Sequence, residues 1–367
     1  MTRTTASGET RPHLFGYTPE RLLAELARRD RLDRLDRLAD IRDARRILAH
    51  LISDGGDSPR PLRRPVPRRV REAVEQNYRW ERLRIEDRVE DEADGFVKYL
   101  FRSTDGALSE AVRIPLHRPG RFTVCLSSQV GCAMACDFCA TGRLGLTRDL
   151  EAWEMVSAFM QVRDEAPGRV TGAVFQGQGE PLHNYDEVMR AAEVLSDPCG
   201  GRISAQAITI STVGLVEQIR RFTREKRPYK LIVSLTSAVE PRRRRLLPVA
   251  GNVALAELAA AIRERAHATG ERVTIAWVLI GGENTGADEI AALDELLGDV
   301  PVRINLIDVN DARDDGYPRA GDAERNAFID ELAARDIPFI RRYSGGAARH
   351  AACGMLAATR TGQGSLA

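Results

Sequence analysis

The chain alternates strand-like and helix-like segments over most of its length, and this alternation constrains its fold more than any other feature. Short apolar runs predict strands at residues 122–126, 170–176, 207–211, 231–235, 273–280, 302–309 and 337–341. Helical spacing of apolar residues lies between most of them, at residues 152–164, 185–195, 215–223, 255–269, 287–297 and 323–335. A strand followed by a helix, repeated six times, favours parallel strands with right-handed crossovers. We therefore predict an α/β fold with a partial or complete TIM-type (β/α) barrel; a doubly wound open sheet is the alternative.

The residues that precede the strand–helix repeats have different sequence patterns. Residues 1–12 are polar and are predicted to be disordered, and apolar spacing predicts helix over residues 18–51 and 68–78. Residues 96–102 and 111–115 flank a turn-forming Ser-Thr-Asp-Gly sequence and predict a β-hairpin. These boundaries predict a small N-terminal accessory domain at residues 13–117, a barrel at 118–345, and a C-terminal loop with a tail at 346–367.

The composition is that of an ordinary globular protein, since 43% of the 367 residues are hydrophobic and 29% are charged. No run of about eighteen apolar residues occurs, so no membrane span is predicted. The polar first residues lack the apolar core of a secretory signal. Cysteines that act as thiolates suit a reducing compartment, and we therefore expect a cytoplasmic protein.

Positive charge is concentrated locally, because the net charge of the whole chain is only +1. Residues 60–71 and the four arginines at 242–245 form two strongly basic runs. Either run is able to contact phosphates of a nucleic acid, and either is equally well explained as a solvated protein surface. The runs alone do not decide between these two interpretations.

Three cysteines fall within one short segment. Cys132, Cys136 and Cys139 have the spacing C-x3-C-x2-C shortly after the first predicted strand of the barrel. Iron–sulfur clusters usually bind four protein thiolates, so three thiolates leave one iron of a four-iron cluster open to a small molecule. A structural zinc site needs four ligands in a closed shell, and Cys125 is the nearest candidate for a fourth. We predict a catalytic 4Fe–4S cluster.

Polar or glycine-containing segments follow other predicted strands, at the barrel end where chemistry takes place in such folds. Gln-Gly-Gln-Gly-Glu-Pro occupies residues 176–181, where Glu180 is a candidate partner for an ammonium group. Ser-Thr-Val-Gly at 211–214 and Ser-Leu-Thr-Ser at 234–237 offer hydroxyl groups, and Asn310 follows the sixth strand. Each segment alone is a weak signal, but together they predict one ligand cradle.

The other three cysteines lie outside this segment. Cys125 ends the first predicted strand of the barrel, and Cys353 lies near glycines in the C-terminal loop. Cys199 lies in a turn, and we interpret it as incidental. A small buried hydrophobic role is the simplest alternative for Cys353, since this is the usual environment of a free cysteine.

Four segments together resemble a known family. The spacing of the three cysteines followed by Gly-Gln-Gly-Glu-Pro is similar to the radical S-adenosylmethionine (SAM) enzymes. Within that superfamily, residues 125–142, 177–182, 210–215 and 351–354 resemble the RlmN/Cfr class of RNA adenine methyltransferases. The similarity runs from about residue 14 to 360, and the segment at 125–142 is highly specific.

The resemblance implies the cofactors and their ligands. Cys132, Cys136 and Cys139 would hold a 4Fe–4S cluster, and SAM would chelate the open iron through its amino and carboxylate groups. An electron donor such as flavodoxin or ferredoxin would reduce the cluster. The positions that match the SAM contacts of the family are Gly179, Glu180, Ser211, Ser234, Leu235, Thr236 and Asn310.

The resemblance also implies a reaction that consumes two SAM molecules per turnover. Cys353 matches the cysteine that the first SAM methylates, and a radical from the second SAM takes hydrogen from that methyl group. The resulting carbon radical adds to the adenine ring. Cys125 matches the cysteine that resolves the enzyme–RNA adduct by forming a disulfide with Cys353. Glu110 matches the proton acceptor of the family.

Several ligand-face segments depart from the family pattern. The usual Ser-Leu-His is Ser-Leu-Thr at Thr236, and the usual Met-Gly-Met-Gly-Glu is Gln-Gly-Gln-Gly-Glu at residues 176–180. The Trp-Asn-Pro-Phe-Pro of the family is replaced by Val-Asn-Asp-Ala-Arg at residues 309–313, and the usual Val-Asn-Asp is missing from residues 279–284. The cluster cysteines and both other thiols match the pattern, so a divergent member is predicted.

Four functions are compatible with these patterns. The first is methylation of carbon 2 of an adenine in 23S ribosomal RNA, with transfer RNA as a further substrate. The second is methylation of adenine carbon 8, as in the resistance branch of the family. The third is methylation of a small molecule or peptide by a paralogue, which the departures at Thr236 and near Asn310 suggest. The fourth, an RNA-binding protein without catalysis, has no use for Cys125, Glu110 and Cys353.

Overall fold

The computed structural model describes residues 11–33, 40–60, 65–311, 313, 316–342, 345–346 and 351–356. The N-terminal part is helical, with α1 at Pro19–Asp33, α2 at Ile41–Leu48 and α3 at Arg68–Asn77. The hydroxyl of Thr18 accepts the backbone N–H of Arg21 at 3.4 Å, as expected of an N-cap. A second N-cap, Asp40, begins α2. Residues 34–39, inside the predicted helical stretch, and residues 1–10 of the predicted tail lie outside the described residues.

Twelve strands follow in the described part of the chain. They are β1 (Arg84–Glu90), β2 (Val97–Arg102), β3 (Leu108–Pro115), β4 (Arg121–Leu126), β5 (Gln129–Gly131), β6 (Leu146–Asp149), β7 (Arg169–Phe175), β8 (Ile208–Thr212), β9 (Lys230–Ser234), β10 (Val273–Leu279), β11 (Val302–Asp308) and β12 (Phe339–Arg342). The predicted hairpin is β2 paired antiparallel with β3. Each of the predicted barrel strands is present, with ends that differ by at most two residues.

The remaining helices connect these strands. They are α4 (Ala140–Arg143), α5 (Ala152–Asp164), α6 (Tyr185–Ser196), α7 (Val216–Arg224), α8 (Glu240–Leu246), α9 (Leu255–Thr269), α10 (Ala287–Leu297) and α11 (Asp322–Ala334). Every predicted crossover helix is confirmed. The sequence patterns did not predict α4, α8, β1 or the small β5–β6 ribbon. None of the helices in the described part of the chain is long and apolar enough to cross a membrane.

Ten of the strands form one sheet, in the order β1-β2-β3-β4-β7-β8-β9-β10-β11-β12. Neighbours are antiparallel from β1 to β4 and parallel from β4 to β12. The parallel strands follow one another in chain order without the reversal that defines a doubly wound sheet. Among the described residues β1 and β12 each have one neighbour, so the fold is a partial barrel with two edges.

The N-terminal hairpin continues the barrel sheet. β3 pairs antiparallel with β4, from Ala111 opposite Leu126 to Pro115 opposite Phe122. One hydrophobic core extends from Leu14 to Leu332 and includes both parts of the chain. The predicted boundary near residue 117 thus falls between two paired strands, and the division into separate domains stays a prediction.

Candidate active site

An open cavity of about 1230 Å³, including its solvent-filled mouth, lies at the carboxyl ends of the parallel strands. Every parallel strand, or the residue directly after it, contributes to its wall, as barrel chemistry requires. The contributors include Cys125, Gln176, Ser211, Ser234, Val278, Ile307 and Arg342. The carboxyl ends of the parallel strands therefore share one cavity, and the ligand cradle stays a prediction.

The three cysteines of the C-x3-C-x2-C segment line this cavity together. Backbone hydrogen bonds hold their loop, because the N–H of Cys132 donates to the carbonyl of Gly145 at 2.8 Å and that of Cys139 to Cys136 at 3.1 Å. At Gly131, where φ is +78°, a Cβ atom would lie 1.9 Å from the Gly145 oxygen, so only glycine allows this approach. The short β5–β6 ribbon thus closes the loop on itself.

An apolar cluster surrounds the cysteine loop. Met134 and Cys136 pack with Leu246, Leu247 and Ile280. Burial raises the pKa of Cys132 to about 12 and raises the pKa of Cys136 well above its ordinary value. Such thiols stay protonated at neutral pH unless a metal cation displaces the proton, so the site favours thiolates only when metal is bound.

The residues present fit a 4Fe–4S cluster. Cys132, Cys136 and Cys139 line one cavity, and thiolates are the usual protein ligands of such a cluster. A closed structural zinc site needs four ligands, whereas this segment supplies three thiols.

Glu180 is buried at the same wall. Its carboxylate oxygens accept the backbone N–H groups of Leu182 at 2.9 Å and Val213 at 2.8 Å. Burial raises the pKa of Glu180 to about 7, although these hydrogen bonds oppose the shift. An ammonium group in the cavity would offset that burial, which is the role predicted from the sequence.

Thr236 lines the cavity in an unusual backbone conformation. Its φ is +62°, which is uncommon for a β-branched residue. The side chain is fully buried, and its hydroxyl has no hydrogen-bond partner among the described residues. Because a buried orphan hydroxyl is costly, this group points to a polar ligand such as SAM. Gly179, Ser211 and Ser234 also line the cavity.

Two predicted SAM contacts occupy other positions. The Leu235 side chain belongs to the hydrophobic core. Asn310 is buried and donates from Nδ2 to the carbonyl of Cys353 at 3.2 Å. Neither lies in the set of residues that line the cavity. In this structure Asn310 holds the Cys353 segment, and its contact with SAM stays a prediction.

Cys125 and Cys353 line the cavity on facing elements, β4 and the C-terminal segment. Two hydrogen bonds tie that segment to α4: the N–H of Ala140 donates to the Gly354 carbonyl at 2.8 Å, and the Thr141 hydroxyl donates to the Leu356 carbonyl at 2.5 Å. Burial and the nearby Cys353 raise the pKa of Cys125 to about 12, whereas Cys353 itself is solvent-exposed. The predicted pair of thiols is thus brought to one site.

Glu110 lies on β3, on the same face as Val112, which lines the cavity. Its carboxylate forms a buried ion pair with Lys98 at 3.2 Å. The Ser127 hydroxyl, at the strand end before the cysteine loop, donates to the Glu110 carbonyl at 2.5 Å. Sequence reasoning missed Lys98, because its pairing depends on the register of β2 against β3.

The basic run at residues 242–245 serves mainly within the protein. Arg243 is buried and donates to the carbonyls of Val213 at 2.8 Å, Ser234 at 3.2 Å and Leu235. It thus fastens the ends of β8 and β9 beneath the cavity. Arg242 pairs with Asp288 and Glu289, and Arg245 pairs with Glu283.

The other basic run, at residues 60–71, also forms ion pairs within the protein. Arg60 pairs with Glu75 and Arg68 pairs with Glu72, while residues 61–64 lie outside the described residues.

Polar side chains in the segment after β11 connect it to the cysteine loop through hydrogen bonds and ion pairs. The Tyr317 hydroxyl donates to Asp137 at 2.8 Å, and Arg313 pairs with Asp311 at 2.6 Å. Arg143 of α4 donates to the Asp137 carbonyl at 2.9 Å and faces Asp311 at 3.7 Å. Asp311 and Arg313 lie in the stretch at residues 309–313 where the sequence departs from the resembled family, so that departure has a structural use.

Comparisons with known proteins agree with this site. The model of the radical SAM superfamily matches residues 126–297. A probable RNA methyltransferase of Anaeromyxobacter sp. (strain Fw109-5) is 49% identical over 319 residues, covering 86% of this chain and 92% of the relative. A probable dual-specificity RNA methyltransferase RlmN 2 of Opitutus terrae is 37% identical, covering 97% and 89%.

A solved structure supports the same assignment. The crystal structure of a radical SAM methyltransferase from Sphaerobacter thermophilus matches with a TM-score of 0.84 and 34% identity. The match covers 95% of this chain and 100% of that one. The chain is therefore a radical SAM methyltransferase, and it belongs to the family of RNA methyltransferases that includes the RlmN enzymes.

Proposed function

We propose that this methyltransferase modifies carbon 2 of an adenine in 23S ribosomal RNA, and an adenine of transfer RNA by the same route. The observation that carries the proposal is the placement of Cys125 and Cys353 in one cavity with the cysteine loop. The Anaeromyxobacter and Opitutus relatives are named as probable RNA methyltransferases, the second with dual specificity. These names support an RNA substrate.

The cavity would hold a 4Fe–4S cluster on Cys132, Cys136 and Cys139, with SAM beside it. Bound together, the two groups supply one-electron chemistry that reaches an aromatic C–H carbon, which is too poor a nucleophile for polar methyl transfer. The orphan hydroxyl of Thr236 and the buried carboxylate of Glu180 support SAM binding here. The full set proposed for SAM is Gly179, Glu180, Ser211, Ser234, Leu235, Thr236 and Asn310.

The remaining chemical steps are assigned to side chains of this protein. The Cys353 sulfur would accept a methyl group from a first SAM: its electron pair forms the new S–C bond, its proton leaves, and S-adenosylhomocysteine is the leaving group. After that carbon is joined to adenine and the one surplus electron is returned to the bound cluster, the Cys125 thiolate would attack the Cys353 sulfur. The S–C bond then breaks, its electron pair and a proton complete the methyl group, and the Cys125 thiolate and the Cys353 thioether become a disulfide. The Glu110 carboxylate would accept the proton lost from the ring carbon.

The proposal includes partners outside the cavity. The RNA backbone would contact the N-terminal part, including the basic residues 60–71. Affinity for RNA should then fall steeply with added salt, since each neutralised phosphate releases counterions. A flavodoxin or ferredoxin would supply electrons, and we place the enzyme in the cytoplasm.

The test uses anaerobically reconstituted enzyme, a reductant, methyl-deuterated SAM and unmodified 23S ribosomal and transfer RNA. Mass spectrometry of the digested RNA should find label in 2-methyladenosine, and Cys353→Ala should abolish it. Label at carbon 8 would replace the proposed position with the other branch of the family. No label in RNA, while SAM is still cleaved to 5′-deoxyadenosine, would overturn the RNA proposal in favour of a small molecule or peptide.

A further inference from the structure

Gln176 contacts both of the thiols that the proposed function uses. The residue directly follows β7, whose neighbour in the sheet is β4. Its backbone N–H is close enough to the Cys125 thiol to favour the thiolate form of that cysteine. Its side-chain Nε2 donates to the sulfur of Cys353 at 3.6 Å. One residue therefore connects a strand of the barrel with the C-terminal segment at the two sulfur atoms.

Arg342 fixes the orientation of the Gln176 side chain. Its guanidinium Nη1 donates to Gln176 Oε1 at 2.8 Å, so the amide nitrogen must face Cys353. Among the described residues Arg342 forms no ion pair with a carboxylate, and its charge favours the thiolate forms of both cysteines. It comes from β12, at the far edge of the sheet. Three strands and the C-terminal segment thus meet at this contact.

We propose that Gln176 is a positioning residue that holds the Cys353 sulfur beside Cys125, with Arg342 setting the direction of its amide. The inference rests on the proposed thiol pair. Methionine, the usual residue at this position in the resembled motif, has no N–H to donate. In the disulfide the Cys353 sulfur is held opposite Gln176, whereas the free thiol also samples other rotamers, so the hydrogen bond favours the joined state.

The size of the effect follows from the hydrogen bond. A hydrogen bond of ordinary strength contributes about 0.5–1.5 kcal/mol, which corresponds to a factor of about two to twelve in an equilibrium constant. Without the donor, Cys353 samples more side-chain rotamers, and fewer of them bring its sulfur to Cys125. The effective concentration of one thiol toward the other should fall by that factor.

The test measures this effective concentration directly. Reconstituted enzyme is equilibrated anaerobically in glutathione buffers of stepped thiol-to-disulfide ratio, and free thiols are then alkylated. Mass spectrometry quantifies the peptide pair joined through Cys125 and Cys353. Iron content and visible absorbance are followed throughout to show that the cluster is intact. Neither RNA nor SAM is present, so the measurement does not depend on methyltransferase activity.

Four variants decide the outcome. Gln176→Met removes the donor, and Gln176→Glu removes it while keeping a partner for Arg342; both should lower the effective concentration about two- to twelve-fold. Arg342→Met should lower it less, because the amide stays but is no longer oriented. The matched control is Gln178→Met, the same change two residues away at a side chain outside the cavity wall, and it should have no effect.

The results separate this inference from the proposed function. An unchanged value in Gln176→Met, an equal fall in Gln178→Met, or no disulfide in the wild type would overturn the positioning role. If the wild type fails to methylate RNA but Gln176→Met still lowers the effective concentration, the positioning role holds and the RNA proposal fails. If RNA is methylated while Gln176→Met leaves the equilibrium unchanged, the positioning role is wrong and the proposed function holds.

Discussion

The ammonium group of Lys98 lies 3.2 Å from the carboxylate of Glu110, and the two side chains are 7% and 0% exposed. They come from neighbouring strands, β2 and β3, and lie on the face that continues into the cavity wall at Val112. A charge this deeply buried is stable only with an opposite charge beside it. Lys98 therefore supplies the opposite charge that a carboxylate buried at the position of the proposed proton acceptor requires.

Replacing Lys98 by methionine should destabilise the protein strongly. The change leaves a buried carboxylate without its ammonium partner, and breaking such a pair costs about 3–5 kcal/mol. The free energy of unfolding from urea titrations gives the measurement. The double variant Lys98→Met/Glu110→Gln should recover much of the unfolding free energy, because the second change removes the uncompensated charge. RNA methylation should stay lost in this variant.

The exposed pair of Arg68 and Glu72 provides the control for this effect. Its side chains are 81% and 43% exposed, and the two residues are one helical turn apart. Arg68→Met should change the unfolding free energy by at most about 0.5 kcal/mol. A loss of similar size in Lys98→Met would show that the buried pair contributes no more than a surface contact.

Replacing Asn310 by aspartate should loosen the segment that carries Cys353. Aspartate keeps an acceptor for Arg319 but cannot donate to the Cys353 carbonyl, which Asn310 now contacts at 3.2 Å. Loss of this hydrogen bond should lower the local stability by about 1 kcal/mol, which should speed hydrogen exchange of the backbone at residues 351–356 about five-fold. RNA methylation should also be reduced. Unchanged exchange in this segment would mean that the hydrogen bonds of Ala140 and Thr141 hold it alone.

Most of the barrel could be predicted because its strands and helices are apolar and periodic. β1 was missed because charged residues in Arg-Ile-Glu-Asp-Arg-Val-Glu hide its alternation. The strand lies at the sheet edge, and none of its residues is fully buried. α8 was missed for a related reason: four successive arginines carry no apolar stripe. These arginines bind carbonyl and carboxylate groups of other helices, strands and loops, and the spacing of residues in the sequence does not show such partners.

The residues of the candidate site also differ in whether local sequence spacing reveals them. Cys132, Cys136 and Cys139 could be found because the spacing of their ligands along the chain is itself the signal. Gln176 and Lys98 could not, since each matters through one partner distant in sequence. For Gln176 the only available signal was a departure from the usual methionine, and its meaning required the position of Cys353.

Replacing Thr236 by valine should affect stability and SAM binding in opposite directions. Valine has the same shape but removes a buried hydroxyl that has no partner in the described part of the chain, so the unfolding free energy without SAM should rise by about 1 kcal/mol. SAM affinity of the cluster-loaded enzyme, measured by calorimetry, should fall about five-fold because a hydrogen bond to the ligand is lost.

Thr212 supplies the matched control for Thr236. Its hydroxyl is also buried, but it accepts the backbone N–H of Gly214 at 3.1 Å. Thr212→Val should therefore lower the unfolding free energy, because the change leaves a donor unsatisfied. An equal loss of stability in both variants would contradict the assignment of Thr236 as a hydroxyl reserved for a ligand.

His13 makes the fold sensitive to acid. Its ring stacks on Trp153 at 4.3 Å, Nδ1 accepts the N–H of Phe15 at 3.2 Å, and Nε2 contacts the Glu81 carbonyl at 2.8 Å. Nδ1 must therefore be unprotonated, and Nε2 carries the hydrogen. Burial lowers the pKa of His13 from 6.5 to about 3, so the folded protein holds this ring neutral where the unfolded chain protonates it.

Stability should consequently fall as the pH drops from about 6.5 toward 3, because the unfolded state then binds the extra proton. The loss from this one group reaches up to about 4 kcal/mol at the acid end of the window. Urea unfolding of the cluster-free protein across this range gives the measurement. His13→Gln, which cannot be charged, should be less stable at neutral pH but have a shallower slope, whereas His267→Gln on the exposed face of α9 should keep the wild-type slope. Equal slopes for His13→Gln and the wild type would show that His13 is protonated without loss of the fold, and that other groups control its acid sensitivity.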